Sequence, residues 1–268
     1  MHFEVELDVT ELDPLVAIDF LESHFEQLSK NKLKDAMNKG SVFLERKGDR
    51  SVLRRAQLEL KVGDKIEFYY DQEFLALKPQ KAENLCDQIQ YSIWLKPAGM
   101  PLEGELFGDH LSLLRYADLS FESDREAYLL YELADDSKGV MLLVHHRRAA
   151  AAFTEMLESD QILFKYRAEI SGQFETEQSL DLMIGEELLR GRIEPVKYTK
   201  HTDSSVVDLF LTRGDSRQIC EYFSELGFPV LGDEYIGGNT DRDFLQLNLV
   251  ELDFICPISE DKMHYRAY

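Results

Sequence analysis

Tyr131-Glu132-Leu133-Ala134-Asp135-Asp136-Ser137-Lys138-Gly139 runs without a break into Val140-Met141-Leu142-Leu143-Val144, a polar turn feeding a short apolar segment. The five apolar residues after Gly139 read as a strand, and the acids before it read as a solvated loop. Two adjacent carboxylates, Asp135 and Asp136, could also suggest a glycosidase pair or a metal site. Neither reading gains support, because no partner carboxylate or histidine stands at a recognised spacing. His145-His146 closes the strand with no third ligand in view, so it reads as a strand-end pair, and neither a metal nor a cofactor is expected.

Outward from this stretch, 268 residues with 44% hydrophobic and 11% aromatic content predict a folded chain with a proper core. No run approaches the ~20 apolar residues of a membrane span. The start Met1-His2-Phe3-Glu4-Val5-Glu6 has neither a basic nor an apolar leader, so a cytoplasmic protein is expected. Cys86, Cys220 and Cys256 form no CxxC and are odd in number, and they read as reduced thiols. Net charge is −21, unlike that of most nucleic-acid binders, and it is unevenly spread. Residues 14–70 carry 11 Lys/Arg against 9 Asp/Glu, whereas residues 71–268 carry 19 against 37. A phosphate-binding surface is therefore expected in the first part, and DNA and membranes are not expected partners.

Residues 1–11 alternate apolar and acidic side chains, as a half-buried strand does. Asp13-Pro14 then reads as a helix start, with Leu15, Ile18, Leu21 and Phe25 on one face. A second short helix follows Ser29 and stops at Lys39-Gly40. Val42-Phe43-Leu44, the turn Arg46 to Asp49, and Leu58 to Phe68 complete a strand-rich unit. Residues 71–88 are polar, lack a period and contain Pro79, and they read as a linker. Ile89 to Leu95 reads as a strand entering Lys96-Pro97-Ala98-Gly99-Met100-Pro101, where two prolines and a glycine fix a bend. Leu111 to Tyr116 reads as a short helix. Arg147 to Leu157 reads as a longer one, and Phe164 to Gly172 as a strand carrying Tyr166. Gly214-Asp215-Ser216-Arg217-Gln218-Ile219-Cys220 is followed by Leu226-Gly227, Pro229, Gly232-Asp233 and Tyr235. Gly237-Gly238 reads as a turn. No phosphate-cradling glycine loop, Ser/His/Asp arrangement or dinucleotide fingerprint is present.

Several of these motifs resemble the RluA-type pseudouridine synthases. Their His-Arg-Leu-Asp-x-x-Thr-Ser-Gly matches Tyr131 to Gly139, and their Asn-Lys-Pro-Ala-Gly-Leu-Pro matches the stretch ending Lys96 to Pro101. Lys-x-Tyr-x-Ala-x-Val-x-Gly matches Phe164 to Gly172. Gly-Arg-Thr-His-Gln-Ile-Arg with Gly-x-Pro-Ile-x-Gly-Asp-x-x-Tyr matches Gly214 to Tyr235 without a gap. Residues 1–70 are similar to an S4 RNA-binding domain on Lys39-Gly40-Ser41-Val42 and Lys61-Val62-Gly63-Asp64-Lys65-Ile66.

The resemblance implies an α+β fold. It comprises an S4-like domain over 1–70, a linker over 71–88, and a synthase-like domain over 89–268 with a mixed, mainly antiparallel sheet, flanking helices and a central cleft. It implies that Lys96, Pro97, Gly99 and Pro101 wall a base pocket and that Tyr166 stacks on uracil there, although a core tyrosine reads equally well. It implies that Lys30, Lys32, Lys34, Lys39, Arg46, Arg54 and Arg55 contact a structured RNA such as rRNA or tRNA. For any single lysine, a solvated helix face reads as well. The catalytic aspartate of the family falls on Ala134 and its arginine partner on Cys220. Tyr131, Glu132 and Arg217 replace other polar family residues. The expectation is an RNA-binding protein without catalysis. Two alternatives stand beside it: a synthase rescued by Asp135, and an acidic module that binds a basic protein.

Overall fold

The computed structural model describes residues 1–121, 125–236 and 242–267. The turn expected at Gly237-Gly238 lies outside the described residues. The chain divides into two compact units, one of residues 1–79 with 103–116, the other of residues 80–102 with 117–268.

In the first unit, strand β1 (His2–Asp8) alternates half-buried and exposed residues, as its sequence requires. Helices α1 (Ala17–His24) and α2 (Lys30–Asn38) follow, then strands β2 (Val42–Arg46), β3 (Asp49–Val52) and β4 (Lys65–Asp71), and the single-turn helix α3 (Gln72–Ala76). The sheet order is β1-β4-β2-β3, with antiparallel neighbours throughout. Ile18, Phe20 and Leu21 of α1, Leu33, Ala36 and Met37 of α2, and Ile66 and Phe68 of β4 form its dry core. Burying side chains of this size supplies roughly 1.5–3 kcal/mol each.

Three expectations change here. The first helix does not start at Asp13-Pro14, because Asp13 closes a local turn by accepting from the Thr10 amide (2.8 Å) and hydroxyl (2.7 Å). The strand expected from Leu58 begins only at Lys65, after a turn in which the Asp64 carboxylate accepts from the Lys61 amide. The stretch 71–88 read as a linker instead carries α3, capped by Asp71 through the amides of Glu73 and Phe74, and the next strand, β5 (Glu83–Asp87). Both elements are too short and polar to show a period in sequence.

The second unit begins with β5 and continues with β6 (Tyr91–Lys96). Helix α4 (Leu113–Ser120) starts in the first unit and ends in the second. There follow β7 (Tyr128–Leu129), β8 (Gly139–Val144), α5 (Arg147–Glu158), β9 (Ile162–Ser171), β10 (Gln178–Ile184), β11 (Glu187–Thr199), β12 (Ser204–Arg213), α6 (Ser216–Glu225), β13 (Leu247–Ile255) and β14 (Lys262–Arg266). Among the described residues the sheet runs β10-β11-β12-β9-β13-β8-β6-β5, with β14 on β13 and β7 on β8. Among the described residues only β13 and β8 pair in parallel, so the sheet is mixed and mainly antiparallel, as expected. Every residue of β8 is buried, which accounts for its unbroken apolar sequence. Gly139 is fixed by a close approach, because a Cβ there would lie 2.7 Å from Leu249 Cβ and 2.8 Å from a Leu133 methyl. No helix among the described residues is long and apolar enough to cross a membrane.

His110, in the first unit, is a buried histidine with an electrostatic consequence. Neither ring nitrogen has a well-formed hydrogen bond among the described residues, and its ring meets Phe74 edge-on at 5.4 Å. Burial, then the Lys39 charge, pull its pKa down, against the nearby Leu77 and Phe74 carbonyls and Asp109. With the folded pKa below the unfolded one, stability is fully present above the unfolded value and is lost as pH falls through the folded value. We expect His110→Leu to flatten the loss of stability between pH 7 and pH 5, by at most about 1.4 kcal/mol per pH unit. Urea unfolding at stepped pH checks it, and parallel profiles for the two proteins would exclude a role for His110.

Candidate functional site

The stretch 131–139 meets the N-terminal end of α6. The Ala134 amide points at Ser216 Oγ (3.4 Å), and the Ser137 amide donates to the Ala134 carbonyl (2.9 Å), closing the turn before β8. Cys220 follows Ser216 by four residues, so it lies one turn on along the same face of α6. The helix starts there for a legible reason: Asp215 and Gln218 form a reciprocal capping box. The Asp215 carboxylate accepts from the Gln218 amide (2.8 Å), and Gln218 Oε1 accepts from the Asp215 amide (3.1 Å).

Two cavities open here among the described residues: Ala134 and Asp135 line one, and Tyr131, Glu132 and Tyr166 line the other. One, of about 170 Å³, is walled by Ala134, Asp135, Asp136, Asp233, Glu234, Tyr235, Gly232 and Leu245. Among the described residues, four carboxylates and no cation line it. Asp233 is buried, and its Oδ1 accepts from the amides of Tyr235 (2.9 Å) and Ile236 (3.1 Å). The Cys220 thiol, also buried, is pushed well up, first by burial and then by the Asp233 charge. It is a poor nucleophile and no substitute for a cation.

The other cavity, of about 190 Å³, is walled by Tyr131, Glu132, Leu157, Phe164, Tyr166, Thr212, Arg213, Gly214 and Asp215. Tyr166 and Ala134, expected in one catalytic pocket, thus line different cavities. Tyr166 is almost wholly buried, and burial, then Asp215, push its hydroxyl up. Tyr131 is consumed structurally: its hydroxyl donates to the Val140 carbonyl (2.8 Å) and accepts from the Leu142 amide (3.1 Å). Arg217 points outward and pairs with Glu221 (2.9 Å), so it faces neither cavity.

The bend Lys96 to Pro101 lines neither cavity; it is a strut instead. Lys96 is fully buried, and its Nζ donates to the carbonyls of Asp135 (2.7 Å), Met100 (2.8 Å) and Pro97 (3.3 Å). The Gly99 amide also donates to the Asp135 carbonyl (2.8 Å), and Gly99 packs against Phe244. Pro97 and Pro101 hold the bend half-buried. Burial pulls the Lys96 amine down to about 8, while the charges of Asp135 and Asp136 hold it up. The backbone at Asp135 is thereby pinned, and its side chain is left exposed.

The seven basic residues expected on an RNA face behave differently from one another. Lys30 holds Asp19 (2.7 Å) and Glu22 (3.1 Å), and Lys39 holds Asp35 (2.8 Å) and the Leu75 carbonyl (2.6 Å). Arg46 takes Asp64 with two bonds (2.8 and 2.6 Å), and Arg54 pairs with Asp109. Lys32, Lys34 and Arg55 are exposed and carry no acidic partner among the described residues. His145 and His146 hold backbone and hydroxyl groups: His145 bonds Ser92 Oγ (2.7 Å), and His146 caps α5. A Glu251, Asp253 and His264 trio brings ligand atoms within 4.8 Å of one another. Glu251 there already holds Arg266 (2.7 Å) and Lys165 (3.4 Å), which fills the role a cation would take.

The chain belongs to the RNA pseudouridylate synthase family, whose family model matches residues 90–225. It is similar to the uncharacterized RNA pseudouridine synthase YjbO of Bacillus subtilis, with 27% identity over 154 residues, covering 52% of this chain and 54% of that protein. It is also similar to an uncharacterized RNA pseudouridine synthase of Chloroflexus aurantiacus, with 25% identity over 159 residues, covering 53% of this chain and 50% of the other. The chain thus spans about half the length of these curated relatives. In fold it is similar to human RNA Pseudouridylate Synthase Domain Containing 1, with a TM-score of 0.57 at 14% identity, over 72% of this chain and 86% of that one.

Proposed function

We propose that this protein is a non-catalytic RNA-binding member of its family, holding structured RNA through an S4-like first unit. The observation that carries the reading is the methyl group of Ala134 at the position the family resemblance gives to the catalytic aspartate. Around it, Cys220 stands where the family resemblance would have a guanidinium, Tyr131 is tied to the β8 backbone, and no cation among the described residues lines the cavity. A methyl group can neither attack the sugar nor take a proton from it. Asp135 is a weak replacement: Lys96 and Gly99 fix its backbone, and its carboxylate stands among three others with no arginine to orient it. Four carboxylates also repel phosphate, so RNA is held by the first unit.

The binding surface is narrower than the basic sequence suggests. Lys32, Lys34 and Arg55 supply the charge, since the other four are engaged by acids. Replacing all three by alanine is expected to weaken binding to a labelled RNA hairpin at least tenfold and to lower the salt slope by about 2. Replacing Lys30 and Arg46 is expected to affect stability more than affinity. Gel shifts at two or more salt concentrations measure both. RNA binding that survives the triple replacement with an unchanged slope would sink the reading.

The acid-walled cavity favours a second reading, in which a basic protein segment docks beside Ala134. Pull-down with ribosomal proteins, with and without nuclease, discriminates: capture that persists after RNA is digested favours the protein partner.

A further inference from the structure

Residues 103–116 belong to the first unit although they leave the chain after β6, and they meet that unit where its basic residues cluster. Asp109 is the centre of the contact. Its carboxylate pairs with Arg54, and its amide donates to the Lys39 carbonyl (2.8 Å). Arg54 also donates to the Asn38 carbonyl (2.9 Å), at the end of α2, one turn beyond Lys34. The neighbouring cation in the chain, Arg55, is exposed.

The surroundings are shaped for this carboxylate. A Cβ on Gly40, whose φ is +83°, would lie 2.5 Å from Asp109 Oδ1, and one on Gly108 would lie 2.7 Å from the Lys39 carbonyl. Phe107 stacks on His2 at 4.9 Å, and His110 is buried against Phe74, so the segment is held at both sides of Asp109. Yet the carboxylate is incompletely served: Oδ1 is buried and has no donor among the described residues. The other acids that engage the expected basic face, Asp19, Glu22, Asp35 and Asp64, come from the continuous N-terminal stretch. Asp109 alone among them is delivered by a separate segment.

We propose that Asp109 is an internal occupant of a phosphate site at Arg54, and that RNA binds fully only when this segment yields the guanidinium. Arg54 presents a planar fork that suits a carboxylate and a phosphate alike, so exchange of one for the other needs no new side chain. The released Arg54 would join Arg55 and Lys34 in one patch. The inference rests on RNA binding by the first unit.

The test compares wild-type protein, Asp109→Asn, Arg54→Gln and the double variant for affinity to a fluorescein-labelled RNA hairpin over a salt series, with folding checked by thermal unfolding. Asp109→Asn is expected to bind about tenfold tighter with a salt slope steeper by about 0.7, the value for one more phosphate contact on a single strand. The gain is expected to vanish in the double variant. Unchanged or weaker binding by a folded Asp109→Asn, or an equal gain without Arg54, overturns the proposal while the RNA-binding reading stands. No binding by either wild type or Asp109→Asn overturns both. A second measurement needs no substitution: hydrogen exchange at the Asp109 amide is expected to quicken when wild-type protein is saturated with the hairpin, and unchanged protection in the bound state overturns the proposal.

Discussion

Incubated with RNA from a synthase-deficient host, the protein is expected to form no pseudouridine, and Asp135→Asn is expected to leave that background unchanged. New site-specific pseudouridine, lost in Asp135→Asn, would show that the pinned loop still reaches the sugar. The expectation extends to restoration. Ala134→Asp adds a fifth carboxylate to a cavity already walled by four, so it should cost stability by like-charge repulsion without returning activity. Cys220→Arg forces a long cation into a site that is 4% exposed, and overpacking of that kind costs roughly 1–3 kcal/mol. Made together, the two replacements can pair, and a coupling of about 1–3 kcal/mol is expected in their double-mutant cycle. Additive costs would mean that positions 134 and 220 do not face each other across the turn.

The second large effect belongs to Lys96. Lys96→Met removes a donor shared by three carbonyls and leaves all three without it in a buried place, at about 1–3 kcal/mol for each group. Relief from burying the amine offsets part of this, so a net loss of about 3 kcal/mol is expected near pH 7. The pH dependence carries a sign. Burial pulls the folded-state pKa to about 8 from 10.5, so the unfolded chain binds more protons in that window. Wild-type stability should therefore rise relative to Lys96→Met as pH climbs from 8, by up to about 1.4 kcal/mol per pH unit. Denaturant titrations of both proteins from pH 7 to pH 10 measure the gap. A gap that narrows instead would mean that the three carbonyls hold the proton more strongly than burial expels it.

Much of the frame was legible in the sequence because its causes are local. The apolar run Val140 to Val144 and the alternation in β1 each declare their element through spacing alone, and the motif from Gly214 to Asp233 declares its helix through the family resemblance. The capping box at Asp215 and Gln218 was equally readable as a pattern, although the family resemblance drew attention to the residues missing there. What sequence did not show depends on distance along the chain. Arg46 meets Asp64 and Arg54 meets Asp109, partners 18 and 55 residues away, whereas Lys30 and Lys39 are held by acids close by in sequence, so four of the seven expected RNA contacts are engaged by acids. Tyr166 and Ala134 were expected in one pocket because the motifs place them together, whereas the folded chain gives each its own cavity. The edge strand β5 escaped notice because its hydrogen bonds come from β6 and its side chains carry no period.

The buried thiol on α6 has a use that its chemistry alone would not suggest. Cys220 is shielded from solvent and disfavoured as a thiolate, while Cys86 is half-buried and open to reagent. A maleimide added at neutral pH should therefore label Cys86 promptly and reach Cys220 only in molecules whose α6 has swung away from the Ala134 turn. The labelling rate of Cys220, told apart from that of the equally buried Cys256 by peptide mapping, then becomes a clock for breathing of the turn at Ala134.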